Sequence, residues 1–161
     1  MHKLINVLIT GILLVVIVLA GSLLVPKVLG YQIYGVLSGS MEPNLQVGSV
    51  VYVKPMGAEN IAPGDAITFR LPGDAKTVVT HRVLEIDKQN SSFITKGDAN
   101  DVEDLAPVAF DNLVGKVQYH LPYLGYIAFY LQTKAGLLAA VGILVFIILL
   151  CCLSELTKKK A

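Results

Sequence analysis

Val47-Gly48-Ser49-Val50-Val51-Tyr52-Val53-Lys54, closed by Pro55, reads as a β-strand. β-Branched and aromatic side chains suit a pleated, half-buried surface, and a proline cannot continue the ladder. Just upstream lies Ser38-Gly39-Ser40-Met41-Glu42-Pro43. It offers two hydroxyls, a glycine that lets the backbone bend closely, and a proline that stops regular structure. In an extended segment a spacing of two places both serine side chains on one face. A hydroxyl is a poor nucleophile until a nearby base takes its proton. The other residues are therefore read for a base and for something to orient it.

Downstream the same strand pattern recurs. Ala62-Pro63-Gly64-Asp65 and Leu71-Pro72-Gly73-Asp74 are turn signals. Strands are expected over residues 66–70, 77–87, 92–96 and 112–119. Strands separated by Pro/Gly/Asp turns indicate a small antiparallel β domain rather than βαβ units. Residues 26–134 can bury one core. The expected fold class is mostly β: one antiparallel domain between two apolar terminal segments.

Upstream, residues 4–25 are almost wholly apolar, interrupted only by Asn6, Thr10 and Ser22. At about 1.5 Å per residue this run crosses a hydrocarbon core of ~30 Å. Ala20-Gly21-Ser22 resembles a signal-peptide cleavage site, but the run exceeds the usual apolar region of such a peptide, so an uncleaved anchor is expected. Residues 135–153 form a second uncharged run of spanning length. Lys3 precedes the first run, and Lys158-Lys159-Lys160 follow the second in a basic tail, residues 154–161. Positive flanks stay in the cytoplasm. Both termini are thus expected there, with residues 26–134 on the extracytoplasmic or luminal side. The tyrosine-dense stretch from Tyr119 to Leu131, just before the second run, suits core packing and a helix entry, or a membrane interface.

Of the 161 residues, 54% are hydrophobic, an excess concentrated at the two ends. The formal net charge of +1 argues against general nucleic-acid binding. The two cysteines, Cys151 and Cys152, are adjacent in the second apolar run, so the β domain has no disulfide and no thiolate metal site. The pair reads as small lipid-facing residues or as palmitoylation sites.

Three histidines are present. His2 lies at the cytoplasmic end, His120 in the aromatic stretch and His81 in the long strand, so His81 is the candidate base. Lys96-Gly97-Asp98-Ala99-Asn100-Asp101-Val102-Glu103-Asp104 offers carboxylates to orient an imidazole. A solvated acidic turn is the plain alternative. A calcium loop is disfavoured, because Val102 fills a ligand position and Glu103 replaces the required glycine.

Ser38-Gly39-Ser40-Met41-Glu42-Pro43, Pro63-Gly64-Asp65, His81-Arg82-Val83, Lys96-Gly97-Asp98, Gly115-Lys116-Val117 and Leu121-Pro122-Tyr123-Leu124-Gly125 together resemble the ordered boxes of type I signal peptidases. The likeness runs over residues 36–126. It is to the endoplasmic-reticulum-type branch, found in eukaryotes, archaea and some Gram-positive bacteria, which carries histidine where the common bacterial branch carries lysine. The resemblance implies a signal-peptidase/LexA-like β fold. It implies Ser40 as nucleophile, His81 as general base, and Ser38 as oxyanion donor beside the Ser40 N–H. Asp98 and Asp104 match two acidic positions of the family's loop. Asp104 is assigned to orient His81 and Asp98 to support, with Asp101 the other carboxylate in reach. Ala99 departs from the family pattern, which has an amide there.

The implied activity is a serine endopeptidase that removes signal peptides after small residues at the first and third positions before the bond, with no cofactor and no metal. Its implied partners are the signal peptides of secretory preproteins and membrane lipid, with the translocation machinery a candidate associate and no nucleic acid. A histidine base predicts a rate that falls as imidazole protonates at mildly acid pH, whereas a lysine base would demand alkaline pH. The alternatives are a protease dedicated to a few surface or matrix proteins, and a non-catalytic membrane scaffold.

Overall fold

The computed structural model describes residues 2–158; Lys159 and Lys160 of the basic tail lie outside the described residues. In chain order, helix α1 spans His2–Val28. Strands β1, Gln32–Gly35, and β2, Val50–Lys54, follow. Next come β3, Ala66–Leu71, β4, Asp74–Asp87, and β5, Ser92–Lys96. The two-residue β6, Val108–Ala109, precedes β7, Leu113–Leu121. Helices α2, Leu124–Leu131, and α3, Lys134–Lys158, complete the chain. Two compact units result: Pro26–Tyr126, and the terminal segments 1–25 with 127–161.

The seven strands form one sheet in the order β1-β2-β7-β3-β4-β5-β6, every pairing antiparallel. The mostly-β antiparallel fold expected from the turn spacing is the fold observed. The first half of β4 pairs with β3, placing Ile67 opposite His81. Only from Arg82 onward does β4 also pair with β5. Among the described residues, no strand covers the other edge of β4 before Arg82.

The sheet carries two buried clusters, because period-two alternation sends successive apolar side chains to opposite sides. Ile67, Phe69, Val83 and Phe93 make one core, against which Val79 packs. Val51, Val53 and Val114 make the other, together with Met41 and Leu45 from the serine loop. The segment bearing the two serines is therefore anchored by its own apolar residues. Met41 is 2% exposed, and burying such a side chain contributes roughly 1.5–3 kcal/mol.

The structure differs from expectation at several boundaries. β2 begins at Val50, because Val47-Gly48 is a turn: Gly48 has φ +80° and its N–H donates to the Val36 carbonyl, 3.0 Å. A side chain at Gly48 would also strike the Tyr126 ring. β4 starts at Asp74, earlier than expected, and β1, β6 and α2 were not anticipated as elements. The aromatic stretch does enter a helix, and Tyr119 stacks on buried Tyr52, with ring centroids 4.4 Å apart. Asn6–Val28 and Lys134–Cys152 are long and apolar enough to cross a membrane.

Candidate active site

Ser40 sits in a turn whose ends are tied on both sides. The Glu42 N–H donates to the Gly39 carbonyl, 3.0 Å, and the Leu45 N–H to the Met41 carbonyl, 2.8 Å. The Ser40 carbonyl accepts from the Ala99 N–H, 2.9 Å. Ala99 thus serves through its backbone, which any residue supplies, and its methyl is exposed. Gly97 makes this approach feasible, since a Cβ there would stand 2.6 Å from the same Ser40 oxygen.

His81 projects from β4 with its side chain 12% exposed. Its Nε2 lies 3.3 Å from Ser40 Oγ, and its Nδ1 lies 2.6 Å from Asp104 Oδ2. Thr95, 1% exposed on β5, donates its hydroxyl to the same Asp104 oxygen, 2.6 Å. The Asp104 N–H returns a bond to the Thr95 carbonyl, 2.9 Å. Side chain and backbone together hold the carboxylate in register with β5. The Phe69 ring meets the imidazole edge-on, centroids 6.3 Å apart, and closes one side of it.

Asp98 has a different partner. It takes a two-pronged bond from Arg82, with Nε to Oδ1 at 2.7 Å and Nη2 to Oδ2 at 2.6 Å. Such fork-to-fork pairs are directional as well as charge-assisted. Asn44 Nδ2 adds a bond to Oδ2, 2.8 Å, and Arg82 Nη1 donates to the Gly64 carbonyl, 2.7 Å. One carboxylate thereby links the serine loop, β4 and the turn before β3. The Arg82 hydrogen bond, helped by Asn44, holds the Asp98 carboxyl below the usual carboxylate range, and Asp98 in turn raises Arg82.

Ser38 Oγ lies 3.4 Å from Ser40 Oγ. Two cavities flank these groups. One of about 130 Å3 is lined by Val36, Leu37, Ser38, Ser40, Met41 and Val78, among others. The other, about 280 Å3, has His81, Asp104, Phe69 and Leu105 in its wall. The structure thus brings Ser38, Ser40, His81 and Asp104 together. Asp98 stands behind Arg82, Asp101 is exposed on the same loop, and His120 lies on β7 opposite Val51. Sequence reasoning missed Thr95, Asn44 and the pairing of Arg82 with Asp98. A charged pair of boxes, His81-Arg82 and Gly97-Asp98, was the available signal for the last.

A serine hydroxyl, an imidazole and a carboxylate in sequence, carried on an antiparallel sheet, form the constellation of a serine hydrolase. No family model matches the chain. Among curated proteins, it is 45% identical over 97 residues to signal peptidase I W of Bacillus subtilis, a match covering 58% of this chain and 49% of that protein. It is 34% identical over 123 residues to the signal peptidase complex catalytic subunit SEC11 of Candida tropicalis, covering 67% of this chain and 72% of that one. The human subunit SEC11C is 31% identical over 121 residues, with 66% and 62% covered. The chain belongs to the type I signal peptidases, in the endoplasmic-reticulum-type branch. With its two long apolar helices it is a membrane-associated protein.

Proposed function

We propose that this chain is a membrane-bound serine endopeptidase that removes signal peptides from translocated preproteins. The observation that carries the reading is the run of contacts from Ser40 Oγ through His81 to Asp104 Oδ2. His81 Nε2 takes the hydroxyl proton as Ser40 Oγ attacks the scissile carbonyl. Asp104 fixes the tautomer and stabilises the imidazolium that forms. The oxyanion accepts from the Ser38 hydroxyl and the Ser40 N–H. His81 then protonates the departing amine, and water hydrolyses the acyl-enzyme by the same base. Asp98 acts at one remove, by holding Arg82 and the serine loop. None of these steps uses a cofactor or metal.

The uncovered edge of β4 before Arg82 suits an extended substrate added as a further strand. The cavity of about 130 Å3 beside Ser40 is well below the ~300–1,000 Å3 of pockets that hold drug-sized ligands. It accommodates small side chains, as required for residues at the first and third positions before the bond.

The two apolar helices serve as anchors, and residues 26–134 as the catalytic domain. Lys3, and the lysines at and beyond the end of α3, favour cytoplasmic outer flanks for both helices, with the β domain on the opposite side. A tethered enzyme meets a membrane-held signal peptide at high effective concentration. The Candida and human relatives are named as catalytic subunits of a signal peptidase complex, which supports association with further subunits.

The test is preprotein processing in membranes by the full chain and by Ser40→Ala, His81→Ala and Asp104→Ala. Loss of processing in the first two, with unchanged circular dichroism, is expected. Undiminished processing by Ser40→Ala would overturn the reading.

A further inference from the structure

We propose that the larger cavity, about 280 Å3, receives an apolar side chain from one of the first two residues beyond the scissile bond, so that the enzyme reads the chain it releases as well as the peptide it removes. The inference rests on the endopeptidase reading above.

The two cavities divide the reacting groups between them. The smaller has Ser38 and Ser40 in its wall; the larger has His81 and Asp104; Val79 is common to both. This division matters because of where the proton goes. When the tetrahedral adduct collapses, the carbon–nitrogen bond breaks. The proton on His81 Nε2 passes to the departing nitrogen, and the acyl group stays on Ser40 Oγ. The departing nitrogen must therefore lie on the imidazole side of Ser40. Residues that follow it in the substrate run on past the imidazole, which is where the larger cavity opens.

Its lining fits that occupant. Phe69, Leu71, Val79, Leu105, Pro107 and Val108 make an apolar wall, and the volume is about twice that of the cavity beside Ser40. A branched or aromatic side chain fits there. Leu105 is fully exposed at 105%, and Leu71 is 39% exposed. A lone surface leucine is ordinary, but two in the wall of a cavity that ends on the imidazole gain burial once a side chain is seated. Phe69 stands edge-on to His81, so an occupant resting on Phe69 lies next to the proton donor.

The experiment uses the full chain in lipid-containing micelles and peptides identical up to the scissile bond. They carry Ala, Leu or Phe at the first or the second position after it. For one of the two positions, kcat/KM for Phe or Leu should exceed that for Ala by about tenfold or more, tenfold being the low end of what one methylene gives in a hydrophobic pocket. Leu105→Asp, at an exposed site that leaves packing intact, should bring that ratio close to one. A second arm supplies Phe-amide or Ala-amide as acceptor for the acyl-enzyme. Phe-amide should capture more of it if the first position is the one read.

Ser40-dependent cleavage with a flat ratio at both positions would overturn the cavity assignment alone. A preference that survives Leu105→Asp would overturn it too. Absence of any Ser40-dependent cleavage would overturn the endopeptidase reading, and this inference with it.

Discussion

Thr95 and His81 converge on a single oxygen: the threonine hydroxyl and the imidazole Nδ1 each lie 2.6 Å from Asp104 Oδ2. The threonine is buried on β5, so the carboxylate is held from below while the histidine meets it from β4. Thr95→Val keeps the shape and removes the hydroxyl. A hydrogen bond to a charged group contributes about 1.5–3 kcal/mol, so kcat should fall on the order of tenfold or more. Thr95→Ser should recover most of it. If Val and Ser behave alike in steady-state cleavage assays, the hydroxyl is not what positions Asp104.

Arg82 and Asp98 set an acid limit on stability. The Asp98 carboxyl titrates below its unfolded value, first because of the Arg82 hydrogen bond. A carboxyl depressed in the folded state stabilises the protein above its unfolded pKa of about 3.9, and this contribution is lost as pH falls toward the folded value. The melting temperature of the wild type should therefore exceed that of Asp98→Asn by a constant margin above about pH 5, and the margin should shrink as pH falls below about 4 toward the folded value. Arg82→Lys should also lose stability at neutral pH, because an ammonium cannot make the two-pronged bond. A margin that widens on acidification would contradict the assignment.

Gly97 and Ser40 touch through backbone. A methyl at Gly97 would stand 2.6 Å from the Ser40 carbonyl and 2.7 Å from Asn100 Nδ2. The Asn100 side chain can move, whereas the carbonyl can yield only by shifting Ser40, the proposed nucleophile. Misplacement of a reacting group by about 1 Å can cost ~10²-fold in rate, so Gly97→Ala should lower kcat by about 10–10²-fold. Melting temperature, read in parallel, should drop only modestly. An active Gly97→Ala enzyme would show that the loop gives way instead of Ser40.

The chain's pattern carried much of this, for physical reasons that differ by residue. Strands such as Ser92–Lys96 are legible because β-branched and aromatic side chains cluster between turn residues. β6 has two residues and no pattern to read. The sheet order was not legible, since β7 inserts between β2 and β3 through pairings far apart in sequence. Ser40 and His81 could be named by residue type, but their 3.3 Å approach joins positions 41 residues apart. Thr95 was hidden because threonine is expected in a strand for propensity alone. Asn44 was hidden in a polar loop for the same kind of reason. Choosing among Asp98, Asp101 and Asp104 required three dimensions. Arg82 takes up the first, the second is exposed, and the third reaches the imidazole.

Ser38 lies 3.4 Å from Ser40 Oγ and also lines the smaller cavity, so two roles compete for it. An oxyanion donor acts chiefly in the transition state, where the carbonyl oxygen becomes charged. Removing one such donor costs on the order of 10²–10³ in kcat. A residue that merely shapes the cavity binds substrate and transition state alike, and its loss raises KM while kcat stands. Ser38→Ala should therefore lower kcat by about 10² or more with KM little changed. Ser38→Thr should retain part of the rate, because it keeps the hydroxyl. The extra methyl of threonine also narrows the cavity, so its KM should rise for substrates with larger side chains before the bond and stay level for alanine. A Ser38→Ala enzyme with full kcat and raised KM would assign the residue to substrate binding, leaving the backbone N–H groups to hold the oxyanion.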